Sequence, residues 1–150
     1  MRASGIKYDI RKVQPYLHYD KVEFEVPTQK EGDNYARFLV RMEEMRQSLK
    51  IAKQALDNMP EGEYYNPLYR KQGLIKIRGK GESYVRTESP RGEFGVYVVG
   101  DGSQRPYRVR IRSPAFHNLS ALSVMVKGYK IADMIATLST LDPVFGEVDR

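Results

Sequence analysis

The carboxylates of the last ten residues, LDPVFGEVDR, are the first side chains of this sequence that could carry chemistry. Asp142 and Glu147 flank the apolar pair Val144 and Phe145. Carboxylates that are buried beside apolar groups can hold or relay protons. The same residues also admit a structural interpretation, in which Asp142 caps a helix, a proline turns the chain, and Glu147 with Asp149 pairs with nearby arginines.

A second candidate is the arginine-rich segment RPYRVRIR. Side chains alternate along a strand, so Arg108, Arg110 and Arg112 share one face. With Tyr97 and Tyr107 nearby, such a stripe can bind phosphate backbones and stack on bases. Such a stripe is more often a solvated edge or a salt-bridged protein interface, and no recognised nucleic-acid-binding signature accompanies it.

Metal and thiol chemistry have little support in the composition. The chain has no cysteine, which excludes disulfides, thiolate catalysis and Cys-ligated metal centres within it. His18 and His117 lie about a hundred residues apart without carboxylates at metal-ligand spacing, so we interpret both as ordinary polar residues. The GKGE sequence also lacks the spacing of a phosphate-binding loop.

Length and charge limit the class of protein. The 150 residues predict one domain, and 41% hydrophobic with 29% charged residues is a globular composition. A net charge of +6 and a pI near 9.5 favour acidic partners: nucleic acid, anionic lipid or an acidic protein. No apolar run is long enough to span a bilayer, and the N-terminus lacks a signal-peptide core.

Helical and extended patterns alternate along the chain. Residues 21–27, KVEFEVP, alternate apolar and charged side chains and predict a strand or extended arm. Residues 33–59 predict a long helix with Asp33 as its N-cap, because apolar residues recur every three or four positions. That stripe comprises Tyr35, Phe38, Leu39, Met42, Met45, Leu49, Ala52, Leu56 and Met59. Its opposite face, with Arg37, Arg41, Glu44, Lys50 and Lys53, is either solvated or packed on a partner.

The second half of the chain predicts a sheet followed by helices. Residues 60–82 are interpreted as a linker with a short ordered LIKI stretch. The next thirty residues contain three strand-like segments, which predict an antiparallel meander with a tight hairpin at residues 100–103. Asn118 is the expected cap of two helices, 119–127 and 129–140, broken at Gly128. The predicted class is therefore α+β, with long helices of a bundle core and a small antiparallel sheet.

Four segments together resemble the C-terminal half of the D subunit of respiratory complex I. They are, in order, RASGIKYDIRKVQPY, RFLVRMEEMRQSLKI, PRGEFGVYVVGDGSQRPYRVRIRSPAFHNL and LDPVFGEVDR. The resemblance covers nearly the whole chain, so residues 1–150 are expected to form the C-terminal half of one such domain. The main departure is a shortened region around residues 63–82, where members of the family often carry a further helix.

That family is itself similar to the large subunit of nickel–iron hydrogenases, which ends near an Asp-Pro-Cys-x-x-Cys motif. Val144 and Glu147 stand here in place of the two sulfurs, and neither suits a thiolate-type centre. The resemblance implies that the former metal pocket is a cavity where quinone, the substrate, is reduced. It assigns to that cavity Asp142, Val144, Phe145 and Glu147 from the tail, with Arg91, where many relatives have lysine.

The resemblance also implies partners. Electrons would come from an iron–sulfur cluster in a neighbouring subunit, and this chain would bind no cofactor itself. A separate polypeptide would supply the N-terminal half of the domain, whose His and Tyr contact the quinone headgroup. The chain is therefore expected to be incomplete, and not catalytic, alone. Membrane-arm subunits would complete a proton-translocating NADH (or other donor):quinone oxidoreductase.

The expected location is the peripheral arm of that membrane complex, on the cytoplasmic side of the plasma membrane or the matrix side of the mitochondrial inner membrane. Two alternatives remain: a subunit of a related hydrogenase-like membrane complex that has lost its metal ligands, and a basic nucleic-acid-binding module. The resemblance disfavours the second, because it implies no nucleic-acid partner.

Overall fold

The computed structural model describes residues 1–64 and 79–149. Its elements are the 3-10 turn Arg2–Ser4, α1 (Ile10–Val13), α2 (Asn34–Asp57), β1 (Lys80–Ser89), β2 (Gly92–Asp101), β3 (Arg108–Arg112), α3 (Pro114–Ser120), α4 (Leu122–Met125), α5 (Ile131–Leu141) and α6 (Phe145–Val148). Helices and one antiparallel sheet confirm the predicted α+β class. The LIKI stretch lies outside the described residues.

The long helix α2 begins where the sequence predicts. The Asp33 carboxylate accepts a hydrogen bond from the Ala36 amide at 2.7 Å, which satisfies one of the amides left free in the first turn. The helix continues for 24 residues and ends at Asp57, where the Asn58 side chain donates to the Gln54 carbonyl. The predicted helix and its N-cap are therefore confirmed.

We expect Asp33→Ala to lower the free energy of unfolding by about 1 kcal/mol, because the substitution leaves an orphan amide of the first turn without its acceptor. Urea unfolding followed by circular dichroism measures this loss. Asp33→Asn keeps an oxygen that can accept the same bond and serves as the control. Equal stability of Asp33→Ala and the parent would contradict the assigned cap.

The extended arm at residues 22–31 lies along α2. Phe24 and Val26 are buried, as the alternation predicts, but the arm forms no strand. Its backbone bonds instead to glutamine side chains on the helix: the Glu23 amide donates to Gln54 Oε1 at 2.9 Å and the Glu25 amide to Gln47 Oε1 at 3.1 Å. The two glutamines lie two turns apart on one face of α2, so both can reach the same edge of the arm.

The three strands form a sheet in the order β1-β2-β3, with both pairs antiparallel. Ser89 pairs with Gly92, so Pro90 and Arg91 form a two-residue hairpin turn. The predicted meander is confirmed. The tight hairpin expected at residues 100–103 is wrong, because residues 102–107 form a longer connection between Asp101 and Arg108.

The helical segment after the sheet begins earlier than the sequence predicts, at Pro114, and its first part is divided into two short helices. Ser113 is the N-cap of α3, since its hydroxyl accepts from the Phe116 amide, and Pro114 follows in the first turn. Asn118 is therefore not the N-cap of this segment; it lies inside α3, and its side chain donates to the Arg91 carbonyl at 3.1 Å. The break at Gly128 is confirmed by a positive φ of 87° between α4 and α5.

Part of the polar face of α2 is packed, which is one of the two arrangements that the sequence leaves open. Ala36 and Val40 are buried against Ala3, forming a small core of short side chains. The polar flank contacts the rest of the chain: Arg37 donates to Thr140 on α5 and Arg2 pairs with Glu44. Most of the long apolar stripe is exposed, including Tyr35, Phe38, Met45, Leu49, Leu56 and Met59.

Candidate functional site

The hairpin turn and the C-terminal tail meet at Asp142. The Arg91 side chain donates from Nε to the Asp142 carbonyl at 2.7 Å, and its Nη2 lies 3.1 Å from Asp142 Oδ2. The Asn118 side chain in turn binds the Arg91 carbonyl. Arg91 and Asp142, which the family resemblance assigns to one site, are therefore in direct contact across 51 residues of chain.

Asp142 also adopts an unusual backbone conformation. It is the C-cap of α5 with φ 51° and ψ 54°, in the left-handed region, and its amide bonds back to the Leu138 and Ser139 carbonyls. This conformation ends the helix and turns the chain into Pro143. The capping role, which is the structural alternative for Asp142, is thus present in the structure.

The remaining tail residues form one helical turn beyond that cap. Val144 and Phe145 are 41% and 68% exposed, so they present an apolar surface at the start of α6. Glu147 is half-buried, and its amide bonds to the Val144 carbonyl. Within residues 1–64 and 79–149, the expected pairing of Glu147 and Asp149 with arginines is not found; the tail acid that pairs with arginines is Asp142.

A cavity of about 800 Å³ lies between the N-terminal segment, α2, the hairpin turn and α3. Arg91 and Leu141 line it, whereas Val144, Phe145 and Glu147 do not. Most of its charged lining comes from arginines and glutamates: Arg2, Arg11, Arg37, Arg41, Arg86, Arg91, Arg112, Glu25, Glu44, Glu88 and Glu93. The structure therefore places the predicted site residues on two sides of Asp142, with Arg91 toward the cavity and the apolar pair away from it.

Beside this cavity lies a charge cluster that sequence reasoning missed. The Asp9 side chain is 1% exposed; Arg11 Nη2 lies 2.7 Å and Arg2 Nη2 3.1 Å from its Oδ2. Arg2 also pairs with Glu44 and lies 3.6 Å from Glu88. Asp9 is also the N-cap of α1, since its carboxylate accepts a hydrogen bond from the Arg11 amide. The sequence signal that could have predicted this cap is an acidic residue directly before the apolar Ile10.

The cluster shifts the pKa values of its two acids, Asp9 and Glu88, in opposite directions. Burial alone would raise the pKa of Asp9, but hydrogen bonds from Arg11 and the charges of Arg11 and Arg2 outweigh it, so the pKa is lowered. Burial raises the pKa of Glu88, and the negative charge of Asp9 adds to this effect, with Arg11 and Arg2 opposing it. The arginines hold Asp9 as an anion, whereas Glu88 is the more easily protonated group.

The two histidines and the three arginines of the stripe take no part in the contact between Arg91 and Asp142. His117 Nδ1 lies 2.9 Å from the Ser113 carbonyl, one turn earlier in α3. Arg112 donates to the Glu93 carbonyl, while Arg108 and Arg110 are exposed. Within residues 1–64 and 79–149, no three His or acidic side chains are grouped closely enough to hold a metal ion. None of the helices described is both long and apolar enough to cross a membrane.

Comparison with known proteins places this chain in a class of respiratory redox subunits. The family model described as "Respiratory-chain NADH dehydrogenase, 49 Kd subunit" matches residues 1–76 and 72–150. The chain belongs to this family, that of the D subunit of complex I.

Curated relatives agree. The chain is 52% identical over 150 residues to the second D subunit of NADH-quinone oxidoreductase from Solibacter usitatus, and 49% identical over 150 residues to the D subunit of the same enzyme from Dehalococcoides mccartyi. All of this chain is covered in both comparisons, but 40% of each relative. With a relative from Wolbachia pipientis the alignment extends over 171 positions at 43% identity. The chain thus spans about two fifths of the length of these relatives.

Proposed function

We propose that this chain helps to wall the quinone-reduction cavity of an NADH-quinone oxidoreductase. The observation that carries the proposal is the contact between Arg91 and Asp142 in a chain that belongs to this family. In the proposed site, quinone accepts two electrons and two protons to become quinol. A neighbouring iron–sulfur cluster supplies the electrons, and because this chain has no cysteine, another subunit provides the cluster's thiolate ligands.

The tail residues have distinct roles in this proposal. Val144 and Phe145 supply apolar contact for the quinone ring or isoprenoid tail, since both are exposed beside α6. Glu147 takes part in proton delivery, because its half-buried carboxyl lies on the same helical turn as Phe145. Asp142 anchors the segment, since its carboxylate and carbonyl are both bound by Arg91.

In this proposal the exposed stripe of α2 packs against the part of the family domain that these 150 residues do not include. The exposed stripe on α2 covers most of a 24-residue helix, and the relatives have about three fifths of their length beyond the part matched here. Helices with such a stripe bury it against a neighbour, and a bundle core of this kind is formed between the two halves of the domain. The whole assembly would be the peripheral arm of a membrane complex, joined to its iron–sulfur and membrane-arm subunits.

We expect Arg91→Ala and Glu147→Gln each to slow quinone reduction about tenfold in the assembled complex. Arg91→Ala removes two contacts that orient the tail, and Glu147→Gln removes a group that can carry a proton. Arg91→Lys keeps the charge but loses the planar fork that bridges the Asp142 carbonyl and carboxylate, so an intermediate rate is expected. The measurement is the rate with quinone compared with the rate with an artificial acceptor reduced upstream of it.

The matched control is Arg105→Ala, because Arg105 lies exposed in the connection between β2 and β3. It should reduce both acceptors at the parental rates. If Arg91→Ala and Glu147→Gln also assemble and reduce quinone at the parental rate, the proposed site is wrong.

A further inference from the structure

A second arginine, Arg41 on α2, reaches the same tail residue from a different element. Its Nη1 donates to Asp142 Oδ2 at 3.1 Å, and its Nη2 donates to the Thr140 carbonyl at 2.9 Å. Arg41 and Arg91 therefore converge on one carboxylate oxygen, one from a helix and the other from a hairpin turn. The sequence places Arg41 on the polar face of the helix and within the segment RFLVRMEEMRQSLKI, but assigns it no role in the site.

These contacts bear on a strained point of the backbone. The left-handed backbone conformation is disfavoured for residues other than glycine. Asp142 adopts it where the chain leaves α5. The last helical carbonyls need donors, and Arg41 supplies one of them at Thr140. The two guanidinium groups thus fix both the end of α5 and the direction in which residues 143–148 leave it.

The geometry points to Arg41 as a positioning residue of the quinone cavity, acting through Asp142. It holds the carboxylate against Arg91 and so sets where Val144 and Phe145 lie relative to the hairpin turn. This inference rests on the proposed function. Arginine is suited to the role because its planar fork reaches two acceptors at once, whereas lysine presents a single ammonium group.

The test uses the intact complex with Arg41→Ala and Arg41→Lys. For Arg41→Ala we expect the KM for quinone to rise about fivefold, the size expected for a half-exposed charged contact, with little change in the rate to an upstream acceptor. Backbone hydrogen exchange in residues 142–148 should accelerate. Arg41→Lys should show a smaller rise. The matched control is Arg46→Ala on the same helix, since Arg46 pairs with Glu43 and its side chain is 70% exposed; it should change neither quantity.

A double substitution tests whether Arg41 acts through Asp142. Arg41→Ala combined with Asp142→Asn should raise the KM little more than Asp142→Asn alone, because both substitutions remove the ion pair between Arg41 and Asp142. Additive effects would overturn the inference.

A parental KM in Arg41→Ala, while Arg91→Ala slows quinone reduction, overturns it and leaves the proposed function standing. Failure of even Arg41→Lys to assemble would also overturn it, since that result assigns Arg41 to folding. Parental kinetics in all the Arg41, Arg91 and Glu147 variants refute the proposed function itself.

Discussion

Asp9→Asn should lower the free energy of unfolding by about 3 kcal/mol, the largest single effect expected in this chain. The substitution keeps the size of the side chain but removes the anion between Arg2 and Arg11. Both guanidinium groups are largely buried, and removing one member of a buried ion pair leaves an uncompensated charge. Urea unfolding of the parent and the variant, followed by circular dichroism, measures the loss.

The pH dependence separates this electrostatic effect from a loss of packing. Because the folded pKa of Asp9 is lowered, its stabilisation is fully present above its unfolded pKa of about 3.9 and is lost as the pH falls through the folded value. The difference between the parent and Asp9→Asn should therefore shrink on acidification. Glu88 acts in the opposite direction: its folded pKa is raised, so its contribution is present in acid and is lost as the pH rises through that value.

The matched control is Asp20→Asn, which removes the same charge from an exposed position. Its stability should stay within about 0.5 kcal/mol of the parent. A stable Asp9→Asn variant with an unchanged pH profile would mean that the charge cluster contributes nothing to the fold.

The second large effect concerns association. Replacing Phe38 and Leu49 together by glutamate should abolish co-purification of residues 1–150 with a separately produced polypeptide that carries the rest of the family domain. The two side chains are 52% and 71% exposed on the α2 stripe. Burying each in an interface contributes about 1.5–3 kcal/mol, and a charge at the same place adds a desolvation cost. The stability of the chain itself should change little, because both side chains are exposed in it.

Lys50→Glu is the control for introducing acid on the same helix, because Lys50 is exposed and lies off the stripe. It should leave co-purification intact. If the double variant still co-purifies at the parental level, α2 is not the surface that the second polypeptide covers.

Local patterns predict those elements whose signals lie close together in the sequence. The long helix follows from Asp33 and the spacing of apolar residues after it, and the meander follows from alternation between glycines. The start of α3 was missed although Ser113–Pro114 is a local signal, because Asn118 also has a capping side chain. Its side-chain amide is instead bound to the Arg91 carbonyl, a partner 27 residues away.

Sequence motifs also assigned the chain to its family and brought Arg91 and Asp142 into one candidate site. Motifs record which residue types occur in order, and the two residues that they bring together are in contact in the structure.

Only the tertiary structure decided how Asp142 is held and which face of α2 packs. The contact of Arg41 with Asp142 joins residues 101 apart, and the cluster around Asp9 brings Arg2, Glu44 and Glu88 together from three segments. Such pairs leave no periodicity in the sequence, because each depends on where separate elements cross in space. On α2 the short side chains of Ala36 and Val40 let the N-terminal segment pack closely against the helix. The flanking Arg37 and Arg41 hydrogen-bond to Thr140, so the apolar stripe remains exposed. Hydrophobic spacing determines that a helix has an apolar face, but the neighbours available to the chain determine which face it buries.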